Sequence, residues 1–352
     1  MSKWSIAGVL AGLAALAAIT VHYAERRLLP LVETVRTTLY GEQIYSSALQ
    51  GCTSIGESRA WVHPTTLALT VYGDTQRVLS NTFGPHGTEV LPDYADEIAG
   101  VHELLCVADL ILRATEVQEI DGRRVRRIVF DVPQSTYHLT NGWVSGLAQG
   151  MTGQVLLAAY VETHDDKYLR AASDLRNLFL VPVDQGGVRV DVSPNVVWYE
   201  EYAQPGARPP LVLNGHLLAL DFLYWMYQVD GDGETKVLFD SGIRAAVQMV
   251  DRYCSLGWSY YDQRLNLATG KYHAFHVRQL RRYEVHDDSG ALTAARKKMQ
   301  WQLIVPLGVF QRLLTQPSRL LVFLTSTCFV FYVLLFALVR RGRRGLRKKG
   351  LA

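Results

Sequence analysis

The chain has 352 residues, room for one large domain or two ordinary ones with terminal segments. Its composition is that of a globular protein, and four scattered cysteines exclude both a disulfide framework and a zinc-binding spacing. The formal charge of +3 is uneven: seven cations fall in Arg340–Lys349, leaving 29 Lys and Arg against 33 Asp and Glu, so the rest carries −4 and is no basic nucleic-acid binder.

Ile6–Val21 is apolar, Ala- and Gly-rich, and shorter than an average span. It reads as an uncleaved anchor or as a signal peptide cut near Ala15–Ala18, within an N-terminal segment of residues 1–27. Residues 28–136 read as a smaller mixed α/β region. Leu28–Leu49 has helical spacing, Thr66–Tyr72 alternates as a strand does, and Tyr94–Thr115 places apolar residues on one helical face. Val117–Val132 predicts a hairpin turning at Asp121-Gly122.

From Asn141 the pattern becomes helical. Trp143–Glu162 and Lys167–Leu180 form one predicted pair, joined by a turn at His164-Asp165-Asp166, and Leu211–Val229 with Glu234–Tyr253 form another across Asp230–Gly233. Helical pairs on short turns suggest layered α-hairpins or a partial α/α toroid over 137–315. In such a fold the long connections Val183–Pro210 and Leu256–Tyr272 gather at one rim and face each other.

Leu320–Val339 is twenty residues without a charge. At about 1.5 Å rise per residue it spans roughly 30 Å, the hydrocarbon thickness of a bilayer, and predicts a transmembrane helix. The basic tail, 340–352, places that end in the cytoplasm and the body outside it, in periplasm, at the cell surface or in an organelle lumen.

Three tyrosine-rich clusters lie in the rim connections: Trp198-Tyr-Glu-Glu-Tyr202, Ser259-Tyr-Tyr-Asp-Gln-Arg264 and Lys271-Tyr-His-Ala-Phe-His276. Taken singly, each reads most simply as structural, because a loop tyrosine packs its ring and hydrogen-bonds its hydroxyl. His273 and His276 stand at i, i+3 with no third ligand at a suggestive spacing, so ordinary hydrogen bonding is favoured over a metal, and no cofactor is expected. Together the clusters suit removal of a proton α to a carboxylate. Tyr serves as acid or base there, an Arg such as Arg264 stabilises the charge developing on the carboxylate, and Glu201 positions a Tyr or relays a proton.

In order and spacing, NGWVSGLAQG (141–150), WYEEY (198–202), VLNG (212–215), YDQR (261–264) and YHAFHVRQL (272–280) resemble the C-terminal domain of the glucuronyl C5-epimerase family. The resemblance covers about residues 137–290. It implies a toroidal glycan cleft, often dimeric, and inversion of D-glucuronate to L-iduronate in polysaccharides of heparan sulfate type, a glycosaminoglycan. By the same resemblance Tyr202, Tyr261, Tyr272, Arg264 and Glu201 are the catalytic set, with tyrosines on opposite faces of the sugar, one removing and another returning the C5 proton, while Asn214, His273, His276, Gln279, Asn141, Trp143 and Gln149 bind substrate. The implied partners are an acidic polysaccharide and a second copy of the chain, beside the bilayer. Departures from the pattern are Thr269, where a Trp is expected to stack on a sugar, and Ala203 in place of a Pro. A polysaccharide lyase, which takes the same proton, and an inactive glycan-binding subunit are the alternatives. A glycoside hydrolase using Glu200 or Glu201 with Asp262 ranks below them.

Overall fold

The structure is a computed structural model and describes residues 3–36, 63–86 and 100–348. The expectations for residues 37–49, Cys52 and residues 94–99 lie outside the described residues.

The protein is mainly helical. Its first helix, α1 (Lys3–Arg36), carries the first apolar stretch and runs on through residue 27 without a break. Next come α2 (Pro64–Thr70), α3 (Tyr72–Phe83) and α4 (Val101–Ala114). The first two correct the strand expected over Thr66–Tyr72. Pro64 sits at the helix start, where its missing N–H is no loss, and the His63 Nδ1 accepts the Thr65 N–H at 3.3 Å. Leu67, Ala68, Val71 and Tyr72 are then buried together, a helical spacing that outweighs the local alternation. The hairpin forms as expected, β1 (Glu116–Ile120) against β2 (Arg123–Arg127), with Asp121 and Gly122 both at positive φ.

Short strand β3 (Val129–Phe130) pairs with β4 (Trp143–Val144), so Trp143 belongs to a strand and not to the helix expected from it onward. That helix, α5 (Gly146–Thr163), starts after Ser145, whose hydroxyl caps the Ala148 N–H. It is followed by α6 (Asp166–Asn177), the antiparallel pair β5 (Arg189–Ser193) and β6 (Val196–Tyr199), α7 (Leu213–Asp230), α8 (Gly233–Met249), α9 (Gly270–Tyr283) and α10 (Ala291–Ile304).

Helix α5 is the hub, packing against α2, α3, α4, α6 and α7, with α7 also against α8 and α9, and α9 against α10. Its Gly and Ala content has a steric reason. A Cβ at Gly150 would press on the Leu218 carbonyl, and one at Gly153 would enter the Phe222 ring, so these glycines let α7 approach closely. The turns between paired helices use left-handed residues, His164 (φ 53°) and Gly231 (φ 62°), each followed by an aspartate cap, Asp165 and Asp232. One continuous apolar core joins α2–α4 to α5–α10.

Polar ties fix the helices across that core. On α7, His216 takes the Tyr199 N–H at 3.0 Å and lies 3.0 Å from the Gly242 carbonyl. One turn later Asp221 receives the Arg282 guanidinium at 2.6 Å and the Tyr283 hydroxyl at 2.5 Å, both from α9.

The chain ends with α11 (Leu307–Thr315) and α12 (Arg319–Lys348). Among the described residues two segments are long and apolar enough to cross a membrane, Ile6–Ala24 and Arg319–Arg341. They pack side by side, with the Thr20 and Tyr332 hydroxyls 2.8 Å apart. Cys106 is disulfide-bonded, whereas Cys254 and Cys328 are free.

Candidate active site

The site grows from the end of β6, where every residue is buried and the chain must turn into α7. Tyr199 is fully buried and donates its hydroxyl to the Leu238 carbonyl at 2.7 Å. The buried Glu200 carboxylate accepts the Tyr202 N–H at 3.0 Å and the Leu211 N–H at 2.7 Å, which holds Leu211 at φ 55°, a costly conformation for a leucine. These two residues are scaffold, and they hold out Glu201 and Tyr202.

The second connection is sewn onto the first. Leu213 N–H reaches the Tyr261 carbonyl at 3.2 Å, and Gln263 N–H reaches that of Pro210 at 2.9 Å. The two long rim segments therefore face each other, and the Tyr261 hydroxyl comes 3.4 Å from Glu201 Oε1. Tyr202 is hydrogen-bonded to Glu201 as well, so two phenols share one carboxyl group. The Tyr272 ring lies 4.9 Å from that of Tyr261. Tyr272 stands in the first turn of α9, which Thr269 caps by accepting the Tyr272 N–H at 3.4 Å. Thr269, the departure from the family pattern, thus serves as a helix cap beside the site.

Burial pushes the Glu201 carboxyl up to about 8; the Tyr202 and Tyr261 hydroxyls act against the rise, and the neighbouring Glu200 charge adds to it. Burial also carries Glu200 up to about 7, against three backbone N–H bonds. Tyr202 is pushed far above the usual phenol range by the Glu201 charge and then by burial, and Tyr261 by burial first and that charge second. Near neutral pH the phenols are acids and proton donors. Both buried carboxyl groups are brought near neutrality, and of the two it is Glu201 that the Tyr261 hydroxyl approaches.

Asn214 approaches the second oxygen of Glu201, its Nδ2 3.4 Å from Oε2, and Gln279 Nε2 donates to the Asn214 carbonyl at 3.0 Å. Asn214 Oδ1, Gln279 Oε1 and His276 Nε2 are buried and have no hydrogen-bond partner. Burial drives His276 down to about 3, so it is neutral, with Nδ1 3.1 Å from the Ser259 hydroxyl. Arg264 rests over the Tyr137 ring at 5.1 Å and donates to the Arg208 carbonyl at 2.6 Å, while its Nε has no partner.

Other expected substrate contacts stand further back. His273 is fully buried, stacked on Trp258 at 3.7 Å and bonded to the Ser259 hydroxyl and the Met299 carbonyl. Gln149 is fully buried and donates to the Ile128 carbonyl. Trp143 stacks on Phe130 at 3.9 Å, donates its Nε1–H to Val132 and comes within 5.4 Å of the Tyr202 ring. Asn141 is exposed and gives its carbonyl to Gln204.

Sequence reasoning missed Tyr137. Its ring lies 4.8 Å from Tyr202 and its hydroxyl donates to Asp262 at 2.6 Å. Asp262, fully buried, also accepts the Arg264 and Asn266 N–H groups and the Asn266 amide. Tyr137 stands four residues before the first quoted motif, outside any tyrosine cluster, so only its position in space marks it.

At the start of α7, a Cβ on Gly215 would land on the Glu201 carboxyl group. Gly215→Ala is expected to lower stability by about 1–3 kcal/mol. It is also expected to lower activity by about 10²-fold through displacement of that carboxyl. Far-UV circular dichroism checks that the fold is kept; a variant with full activity would place the carboxyl elsewhere.

The profile of the D-glucuronyl C5-epimerase C-terminus matches residues 124–301. The chain is 36% identical over 159 residues to a D-glucuronyl C5-epimerase of Caenorhabditis elegans, covering 40% of this chain and 25% of that one. It is 32% identical over 154 residues to an uncharacterised protein of Methanocaldococcus jannaschii, covering 42% and 49%. The chain thus spans about half, or less, of the length of these curated relatives. The matched region holds β2 through most of α10, with both rim connections and the Glu201 cluster, and on that match the chain belongs to the D-glucuronyl C5-epimerase family.

Proposed function

We propose that the protein is a membrane-anchored uronosyl C5-epimerase acting on an acidic polysaccharide or lipid-linked glycan, interconverting D-glucuronate and L-iduronate residues or a similar hexuronate pair. The observation that carries this reading is the buried Glu201 carboxyl shared by Tyr202 and Tyr261. Glu201 takes the C5 proton, breaking C–H and leaving the electron pair delocalised into the sugar carboxylate. The Arg264 guanidinium, with an unfilled Nε–H, stabilises that charge. A tyrosine hydroxyl then protonates C5 on the opposite face, and once the sugar has left, the proton held on Glu201 restores the phenol. The Tyr261–Glu201 contact is the bond through which that restoration runs, so the cycle closes without a base from solvent.

Asn214 Oδ1 and Gln279 Oε1 are suited to accept sugar hydroxyls. Asp262, saturated with donors, is poorly placed as the second carboxylate of a hydrolase. We read α5, α7 and α9 as the inner layer of a partial α/α toroid, with α6, α8 and α10 outside, residues 137–315 as the catalytic unit, and a homodimer as its assembly. The paired apolar helices support two spans with both ends on the cytoplasmic side and the body outside.

Full-length protein incubated in D₂O with uronate polysaccharides is expected to place deuterium at C5 and invert it without cleaving the chain. Unsaturated ends would make it a lyase instead. Binding without exchange would make it a glycan-binding subunit.

A further inference from the structure

The body and the two apolar helices meet at one place. His22 lies 3.1 Å from the Leu303 carbonyl, and the Tyr23 hydroxyl donates to that of Ile304 at 2.8 Å. Ala18 and Val21 of α1 pack with Val309 of α11 and Leu321 of α12 in a small separate core. This junction lies at the body-side limits of both apolar segments, Ala24 and Arg319. Around it an unusual number of large apolar side chains face outward: Tyr23, Leu256, Trp301, Ile304, Leu307 and Leu314, with Leu256 at 87% and Leu314 at 83% exposure. Single exposed apolar residues need no account, but a set gathered where apolar helices enter a body does. Trp and Tyr favour the headgroup level, where an apolar ring and a polar tip are both satisfied.

Helix α11 has two faces. Val309 is buried against α1 and α12, Arg312 is buried over Trp258 of the body, and Gly308 is pressed so close to Trp258 that a Cβ would enter the indole. Leu307 and Leu314 turn the other way. The buried face also grips the connection that carries Tyr261. Gln311 Oε1 accepts the Gly257 N–H at 2.9 Å and the Ser255 hydroxyl at 3.0 Å, and Arg312 covers the Trp258 ring at 5.2 Å. Just past the helix, Gln316 accepts the Leu267 N–H at 2.7 Å and donates to the Leu265 carbonyl at 2.9 Å.

We propose that α11 and the Leu256 turn form a docking surface for the lipid headgroup interface, laying the body flat on the bilayer and setting the Tyr261 connection against it. The occupant is the membrane itself, because the patch is continuous with the two apolar helices; the inference therefore rests on the anchoring reading above. Substrate would then enter along the membrane plane, as a glycan held at the surface.

The test uses the full chain in nanodiscs containing brominated phosphatidylcholine, with Cys254→Ser and Cys328→Ser and a bimane label on one introduced cysteine. Labels at Leu256→Cys and Leu314→Cys are expected to be quenched to about half or less, since interfacial side chains sit ~5–10 Å into the headgroup–acyl boundary. A label at Val237→Cys, exposed on α8, is expected to stay bright. Quenching at Phe331→Cys in α12 without quenching at both 256 and 314 would overturn the docking surface and leave the spans standing. Quenching at none of them would remove the anchoring reading and the docking with it. Equal quenching at Val237 would mean indiscriminate adhesion and would also overturn it.

Discussion

Glu201→Gln is expected to lower kcat/KM by about 10²–10⁴-fold, the range for losing a positioned general base. The substitution keeps the shape of the group and an oxygen for the Tyr261 hydroxyl, and removes only the capacity to hold a proton. In the unsubstituted protein the rate should rise as pH rises through about 8, where Glu201 becomes the carboxylate. Stability should run the other way. The carboxyl of the unfolded chain ionises in its ordinary range, while the folded one stays protonated up to about 8, so the folded state binds more protons between those values. Glu201 therefore withdraws stability progressively as pH rises through that window. Its replacement by Gln should raise Tm more at pH 9 than at pH 5 while activity is lost. Equal Tm changes at both pH values would deny the carboxyl its raised pKa; full activity would deny it the proton.

Asp221→Ala is expected to cost about 3–5 kcal/mol, the penalty for stripping the partner from a buried charge. Asp221 is almost wholly buried on α7, and the Arg282 guanidinium beside it is nearly so. The aspartate also accepts the Tyr283 hydroxyl, and His86 stands 3.6 Å away. Losing it leaves a cation in the seam between α7 and α9, two of the helices that carry the site. Thermal unfolding followed by ellipticity should show a drop on the order of 10 °C, at roughly 2–4 °C per kcal/mol. Pairing it with Arg282→Met should recover much of the loss, because the cation that Asp221 balanced is then gone. A single variant within 1 kcal/mol of the parent would mean that water reaches the pair.

Much of this architecture can be read from local chemistry. Asp121-Gly122 encodes a tight turn because both positions need positive φ, and the Gly and Ala of α5 announce a helix closely approached by others. The Glu201–Tyr202, Tyr261 and Tyr272 motifs were legible because each clusters reactive side chains in few residues. What the sequence hides is whatever tertiary burial decides. Thr66–Tyr72 alternates like a strand, yet it folds as helix because Leu67, Ala68, Val71 and Tyr72 share one buried face. Gln149 and His273 sit in motifs that resemble substrate contacts, and their full burial on backbone partners is not legible there. Tyr137 carries no local signal, since its partners Tyr202, Asp262 and Arg264 lie far along the chain. The raised Glu201 pKa is equally invisible, being a property of its enclosure.

The Gln316 bridge bears on any attempt to prepare the body without its two apolar helices. A version lacking α1 and severed after Thr315 would end one residue short of the side chain that fastens Leu265 and Leu267, in the connection bearing Tyr261 and Arg264. Between that side chain and the start of α12 stand only Pro317 and Ser318. Cutting there keeps the fastening; cutting a few residues earlier is expected to yield a folded protein with a slack Tyr261 connection, easily mistaken for an inactive one.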